Sequence, residues 1–290
     1  MTNLTLKNRA IDTATMLGKN QLIGGFLLDA GKISQVDAER ILRLQKEKGL
    51  RFGDAAKSLG LITEEDIQQV LAQQFEFSIL PSGDGKFSSE LIAAYQPFSK
   101  QVDTLRSIRS QLMLRCDGCK VLIVVSPGRG EGRSYFAANL AIVFSQLGER
   151  TLLIDADFRQ PRQDQLFKLE QTQGLSDLLA GRVDASVVAR IPEFRCLSVL
   201  PAGTIPPNPL ELIGRGMTTC LTQFAKHYDV ILIDTPASEQ GTDSQILTAK
   251  AGGALLLARQ HKTRLADLEK LKLLFESTGT VWVGAVINDF

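Results

Sequence analysis

Ser126-Pro127-Gly128-Arg129-Gly130-Glu131-Gly132-Arg133-Ser134 follows an apolar run at 120–126 and precedes a helical stretch that reaches about Leu147. A short apolar run bounded by glycines predicts a buried strand, and a strand turning through glycines into a helix predicts a loop built around an anion. Gly128, Gly130 and Gly132 let backbone N–H groups converge on phosphate oxygens, and the helix opening at Ser134 adds the positive end of its dipole. Arg133 brings a positive charge that forks across two phosphate oxygens, and the Ser134 hydroxyl is placed to ligate Mg²⁺. Glu131 and Tyr135, in and just after the loop, complete the set of nucleotide-contact candidates.

Outward from this loop, short apolar runs at 151–154, 196–200, 230–233, 253–258 and 281–287 alternate with helical stretches. That alternation predicts an α/β fold, a doubly wound and mostly parallel sheet with helices on both faces. Two of the runs end in acids: Leu152-Leu153-Ile154-Asp155-Ala156-Asp157-Phe158-Arg159 and Ile231-Leu232-Ile233-Asp234-Thr235-Pro236. In such a sheet both ends open onto the same carboxyl edge as the glycine loop, where ligands bind. Three acids at one edge repel one another unless a cation sits among them, so a magnesium nucleotide explains the cluster better than packing does.

The bulk properties narrow the function. Of 290 residues, 44% are hydrophobic and 22% charged, which places the chain among ordinary folded proteins and excludes collagen-like or disulfide-stapled classes. Lys and Arg number 33 against 32 Asp and Glu, so no basic field for nucleic acid exists. Four cysteines, no leader-like opening and no long apolar span predict a cytoplasmic protein, so that any membrane role comes through a partner. The expected division is a tail at 1–20, a helical two-repeat module at 21–77, a linker at 78–100 centred on Pro81-Ser82-Gly83-Asp84-Gly85, and the nucleotide domain at 101–290.

The helical module rests on an internal repeat. Gly24, Gly31, Ile33, Ser34, Asp37, Leu42 and Gln45 recur as Gly53, Gly60, Ile62, Thr63, Asp66, Leu71 and Gln74. Gly31 and Gly60 fit the left-handed position that ends a helix, Ser34 and Thr63 then cap the next one, and Asp37 and Asp66 close a capping box with a short acid. The stretch resembles the small N-terminal domain of type II secretion and pilus-assembly ATPases. In some of those relatives the repeats take a cyclic dinucleotide at Arg-Leu-Gly. The second unit here keeps Arg51-Phe52-Gly53, whereas the first reads Leu22-Ile23-Gly24, which favours a docking module over a ligand site.

With the loop, the Asp155-x-Asp157-x-Arg159 segment and the run ending at Asp234, residues 99–290 resemble the Walker A, A′ and B motifs of bacterial tyrosine kinases. Pro161 and Gly203-Thr204-Ile205-Pro206-Pro207-Asn208-Pro209-Leu210-Glu211-Leu212 support the likeness. Within that family the free-standing, EpsG-like chain-length-determinant kinases of exopolysaccharide assembly also carry a helical N-terminal module. The resemblance implies ATP and Mg²⁺ as cofactors, with Gly130, Gly132 and Arg133 on the phosphates and Ser134, Asp157 and Asp234 around the metal. It implies Asp155 as the base toward a tyrosine hydroxyl and Arg159 as a stabiliser of the transferred charge. It also implies a membrane chain-length determinant (polysaccharide co-polymerase) as partner, and a ring of subunits joined through Asp103, Arg106 and Arg109, which share one helical face.

Relatives that phosphorylate themselves carry tyrosines on a C-terminal tail, while the three tyrosines here are Tyr95, Tyr135 and Tyr228. The expectation is therefore a substrate tyrosine on another protein, or else a switch of the ParA/MinD type that binds nucleotide and a partner without phosphorylating. That second class places an extra lysine at the position of Gly128. Cys116-Asp117-Gly118-Cys119 has metal-ligand spacing but no second pair, and His227, His261 and Trp282 read as boundary or core residues.

Overall fold

The computed structural model describes residues 23–64, 66–67, 70, 80–81, 83–115, 120–251 and 253–289. The chain forms two compact units that divide between Ile79 and Leu80. The tail at 1–20, the repeat mates Leu71 and Gln74, and the pair Cys116 and Cys119 lie outside the described residues.

In the first unit, helices span Ile23–Asp29, Gln35–Lys48 and Phe52–Ser58. Gly31 and Gly60 hold φ of 65° and 67°, which side-chain-bearing residues rarely adopt, so the chain turns there as the repeat predicts. Ser34 Oγ accepts from Asp37 N at 3.2 Å while Asp37 accepts from Ser34 N at 3.1 Å. Thr63 and Asp66 make the same exchange at 3.1 and 2.9 Å, so aspartate closes both boxes. Lys32 reaches Asp66 at 2.7 Å and, with the Thr63 hydrogen bonds, holds that carboxyl down at about 2. The core beneath is Leu27, Ile33, Ala38, Ile41, Ala55 and Ile62 with their neighbours. Gly53 is needed for closeness: a Cβ there would lie 3.1 Å from Ile67 Cδ1.

The second unit is built on seven strands: β1 Val121–Val125, β2 Thr151–Asp155, β3 Ala189–Arg190, β4 Leu197–Leu200, β5 Val230–Asp234, β6 Gly253–Arg259 and β7 Trp282–Asn288. Their order is β3-β4-β2-β5-β1-β6-β7, parallel throughout except for β3 against β4. β3 was not predicted, because two residues carry no alternation to read. The central strands are apolar on both faces, and period-2 geometry divides them between two cores. Leu122, Val124, Leu153 and Leu232 point to one core, and Ile123, Val125, Leu152 and Ile231 to the other.

The first core is filled by the helix Arg133–Gln146, whose residues from Phe136 to Ser145 are all buried. A helix apolar on every side must be covered on every side. Helix Lys100–Arg115 supplies part of that cover through Val102, Leu105 and Leu112. The rest comes from the stretch expected as a linker, and this corrects that expectation. Leu80, Phe87, Leu91, Ala93 and Ala94 are buried in the same core, and Phe87 meets the Phe167 ring edge-on at 5.8 Å. Asn139 fixes the stretch: its Oδ1 accepts from Ala93 N and its Nδ2 donates to Glu90 O, both at 2.9 Å. Turn-forming residues at 81–85 read as a boundary, but the apolar residues after them have a face to bury and the exposed side of the inner helix to bury it on.

Candidate active site at the carboxyl edge of the sheet

β1, β2 and β5 run side by side, with Asp155 in register with Asp234 across the β2–β5 pair. Parallel strands end at one edge, so the loop after β1, the acids after β2 and the acid ending β5 share a rim, as the sequence predicts. The loop turns through Gly130 at φ 66° and Gly132 at φ 95°, and Gly132 caps the helix that begins at Arg133. Its shape is held from inside. Glu131, only 2% exposed, accepts from Gly128 N at 2.8 Å and from the Thr263 hydroxyl, and Glu239 accepts from Arg129 N at 2.8 Å. The Glu131 carboxylate, expected among the nucleotide contacts, is thus a strut within the protein.

Arg133 is buried, and its guanidinium donates to Thr235 O at 2.8 Å, Gly128 O at 2.7 Å and Ser126 Oγ. It ties the start of the loop to the end of β5. Two further cations, not anticipated from the sequence, reach the loop from the end of β6: Lys262 donates to Arg129 O, and Arg259 to Gly130 O at 2.9 Å. Nothing in their local sequence marks them, since only the strand order brings β6 beside β1. A cleft of about 390 Å³ lies between this loop and helix Leu265–Glu276, lined by Pro127, Gly128, Arg129, Glu131, Lys262 and Leu271 among others.

The acids are buried. Asp155 and Asp234 are 0% exposed and Asp157 4%. Asp155 accepts three backbone donors: Asp157 N at 3.0 Å on one oxygen, and Arg162 N and Gln163 N at 2.9 Å on the other. Burial, then the neighbouring Asp234, push its carboxyl well above the usual range in spite of those bonds. The three bonds make Asp155 the anchor of the 155–163 loop. Asp157 Oδ1 accepts from Arg159 N at 3.0 Å and Gln160 N at 2.9 Å, which completes the turn.

Asp234 differs. Its Oδ2 accepts from Gln163 Nε2 at 2.8 Å, and its Oδ1, buried, has no hydrogen-bond partner. Burial raises its carboxyl to about 6 against the lowering effects of Ser134, Gln163 and Arg133. An ionised buried oxygen without a donor is costly, and a cation meets that need. The oxygen set of Ser134, Asp157 and Asp234 fits Mg²⁺, which prefers one or two carboxylates together with substrate phosphates. Among the described residues no group of three His, Cys, Asp or Glu side chains is placed to hold a metal ion.

Arg159 is engaged by a different acid. Its Nε and Nη2 donate to Asp243 Oδ2 at 3.1 and 2.8 Å, and Asp243 is 2% exposed. Tyr135 is half-buried, and burial, then Glu90, raise its hydroxyl. Of the expected oligomer residues, Asp103 pairs with Arg106 at 2.7 Å on their own helix, and Arg109 donates to Val143 O at 2.8 Å. Among the described residues no helix is long and apolar enough to cross a membrane.

No family model matches the chain. It is 34% identical over 203 residues to CapB of Staphylococcus aureus, covering 69% of this chain and 89% of that protein. It is 33% identical over 206 residues to the tyrosine-protein kinase YwqD of Bacillus subtilis, covering 70% and 87%. Among solved structures, the chimerical protein CapA2B2 superposes with a TM-score of 0.66 at 31% identity, over 79% of this chain and 99% of that one. The kinase domain of Escherichia coli tyrosine kinase ETK gives 0.65 at 27% identity, over 69% and 79%. MinD from Pyrococcus horikoshii, at 21% identity and a TM-score of 0.51, shares the fold. With the glycine loop, the paired acids and their common rim in place, these likenesses show that the chain belongs to the bacterial tyrosine kinases.

Proposed function

We propose that this protein transfers the γ-phosphoryl group of Mg-ATP to a tyrosine on a partner protein, and so regulates the chain length, polymerisation and export of an exopolysaccharide. The observation that carries the reading is Asp234: a buried, unpartnered carboxylate oxygen beside Ser134, at the edge where the glycine loop opens. Backbone N–H groups of 128–132 and the helix dipole would hold the phosphates, while Ser134, Asp157 and Asp234 would hold the metal, which when bound would neutralise charge on the phosphates. Phosphoryl transfer depends mainly on positioning and electrostatics, so the rim does not require a strong base. Asp155 contributes by fixing the loop that carries Asp157.

The partner is a cytoplasmic segment of a membrane chain-length determinant, and the kinase sits peripherally at the inner membrane through it. Subunits associate through the helix Lys100–Arg115, with exposed Asp103 as the contact residue, and the first unit serves docking. The test combines purified protein, Mg-ATP and a fragment of the membrane partner, with mass spectrometry for phosphotyrosine on both chains. Phosphotyrosine that disappears in Ser134→Ala is the expected result. Steady phosphate release with no labelled tyrosine on any partner refutes transfer and leaves a nucleotide switch.

A further inference from the structure

The segment after Asp157 carries a residue with no assigned role at the rim. Gln163 is 0% exposed and is held from both ends: its backbone N donates to Asp155 Oδ2 at 2.9 Å, and its Nε2 donates to Asp234 Oδ2 at 2.8 Å and to Ser134 O at 3.2 Å. One residue thereby joins the acid ending β2 through its backbone, and the helix after the glycine loop and the acid ending β5 through its side chain. The amide orientation is fixed by chemistry. Both partners of that nitrogen are acceptors, so turning the amide over would set a carbonyl oxygen against a carboxylate and a peptide oxygen.

The consequence is an acceptor with nothing to accept from. Gln163 Oε1 is buried and unpartnered, as is Asp234 Oδ1, and the two belong to groups joined by a 2.8 Å hydrogen bond. Two adjacent buried acceptors lacking donors are a costly arrangement for an apolar purpose and a useful one beside a hydrated cation, whose waters are strong donors. We infer that Gln163 is a positioning residue for the divalent cation. Its Nε2 fixes Asp234 with Oδ1 directed to the metal, and its Oε1 accepts a hydrogen bond from a water on that metal. This rests on the magnesium-nucleotide reading above and extends it to a residue outside the three motifs. Outer partners of this kind typically change metal affinity about 10–100-fold.

The test is calorimetry of the full chain with ADP, in EDTA and in excess Mg²⁺, for wild type, Gln163→Met and Gln163→Leu, each checked by thermal melting. Wild type is expected to bind ADP about tenfold or more tightly with Mg²⁺ than without. In Gln163→Met that ratio falls toward one while the affinity in EDTA stays within about twofold. Gln163→Leu, which likewise lacks both the donor and the acceptor, shows the same selective loss, whereas a merely structural role would lower both affinities together. A wild-type ratio retained by the two variants, or an equal fall of both affinities, overturns the assignment. A wild type indifferent to Mg²⁺ overturns the magnesium reading itself, so the two failures are distinguishable.

Discussion

Replacing Asp234 by Asn tests the electrostatics of the rim directly. The carboxyl lies at about 6 in the folded chain against an ordinary 3.8, with burial as the main cause. A raised acid favours the protonated form on folding, so ionisation at higher pH opposes folding. Stability is full below about pH 4 and is lost as pH rises through about 6. At roughly 1.4 kcal/mol per unit, that loss reaches about 3 kcal/mol at pH 8. Asn carries no charge, and its carbonyl can still face Gln163 Nε2. Its NH₂ occupies the place of the unpartnered oxygen, an unpaired donor that returns about 1 kcal/mol of the gain. Metal-free Asp234→Asn is therefore expected to exceed wild type by about 2 kcal/mol at pH 8, or about 4–8 °C in Tm, and to lose that advantage by pH 4. Urea and thermal melts in EDTA at both pH values measure this. With Mg-ADP at about a hundred times its Kd, wild type gains about 2.7 kcal/mol while the variant gains almost nothing from the metal. A variant less stable than wild type in EDTA at pH 8, or one with an undiminished Mg²⁺ response, refutes the reasoning.

The same linkage predicts that metal-free wild type becomes more stable on acidification from pH 8 to pH 5, and that Mg-ADP flattens or reverses the trend; melting curves across that range check it. Asn139→Leu strands Ala93 N–H and the Glu90 carbonyl, so it is expected to cost about 2 kcal/mol in urea unfolding with the nucleotide rim intact. Gly130→Ala places a methyl 2.8 Å from Lys262 Nζ at a φ of 66°, and should lower stability by about 1 kcal/mol and weaken ADP binding several-fold by calorimetry. Arg159→Ala leaves Asp243 buried without its ion-pair partner, so it is expected to lower stability by about 2 kcal/mol in urea unfolding; lost tyrosine labelling at unchanged stability would instead return Arg159 to the reacting phosphate.

Much of the rim was legible because each part lies in a contiguous stretch with its own physical signature. Glycines before a helix, an apolar run ending in Asp155, and another ending in Asp234 each predict a strand end, and parallel topology does the rest. What was not legible depends on which strands become neighbours. Lys262 and Arg259 reach the loop only because β6 lies beside β1, and Glu239 only because the turn after β5 returns under Pro127. Gln163 stands among polar residues, Arg162-Gln163-Asp164-Gln165, and nothing there distinguishes the one buried amide from its less buried neighbours. The roles expected of Arg159 and Glu131 took no account of nearer partners, Asp243 and the loop's own Gly128 N–H, which no spacing rule contains.

The departure from lysine at position 133 has a physical reading of its own. A lysine ammonium is a point charge on a flexible stem, while a guanidinium is a rigid fork that fixes several acceptors at once. Here the fork holds Gly128 O, Ser126 Oγ and Thr235 O together, and so couples the mouth of the loop to the residue after Asp234. Its charge also lowers the Asp234 carboxyl, opposing the burial that raises it. Arg133 thus keeps the loop shaped and the acid partly compensated, with no arm of length left over to follow a moving phosphate. Lys262, whose ammonium donates to the loop carbonyl Arg129 O, adds a second positive charge at the loop. The positive charge around the loop thus comes from an arginine that sets its frame and from a lysine in the turn after β6, which is placed there because β6 lies beside β1.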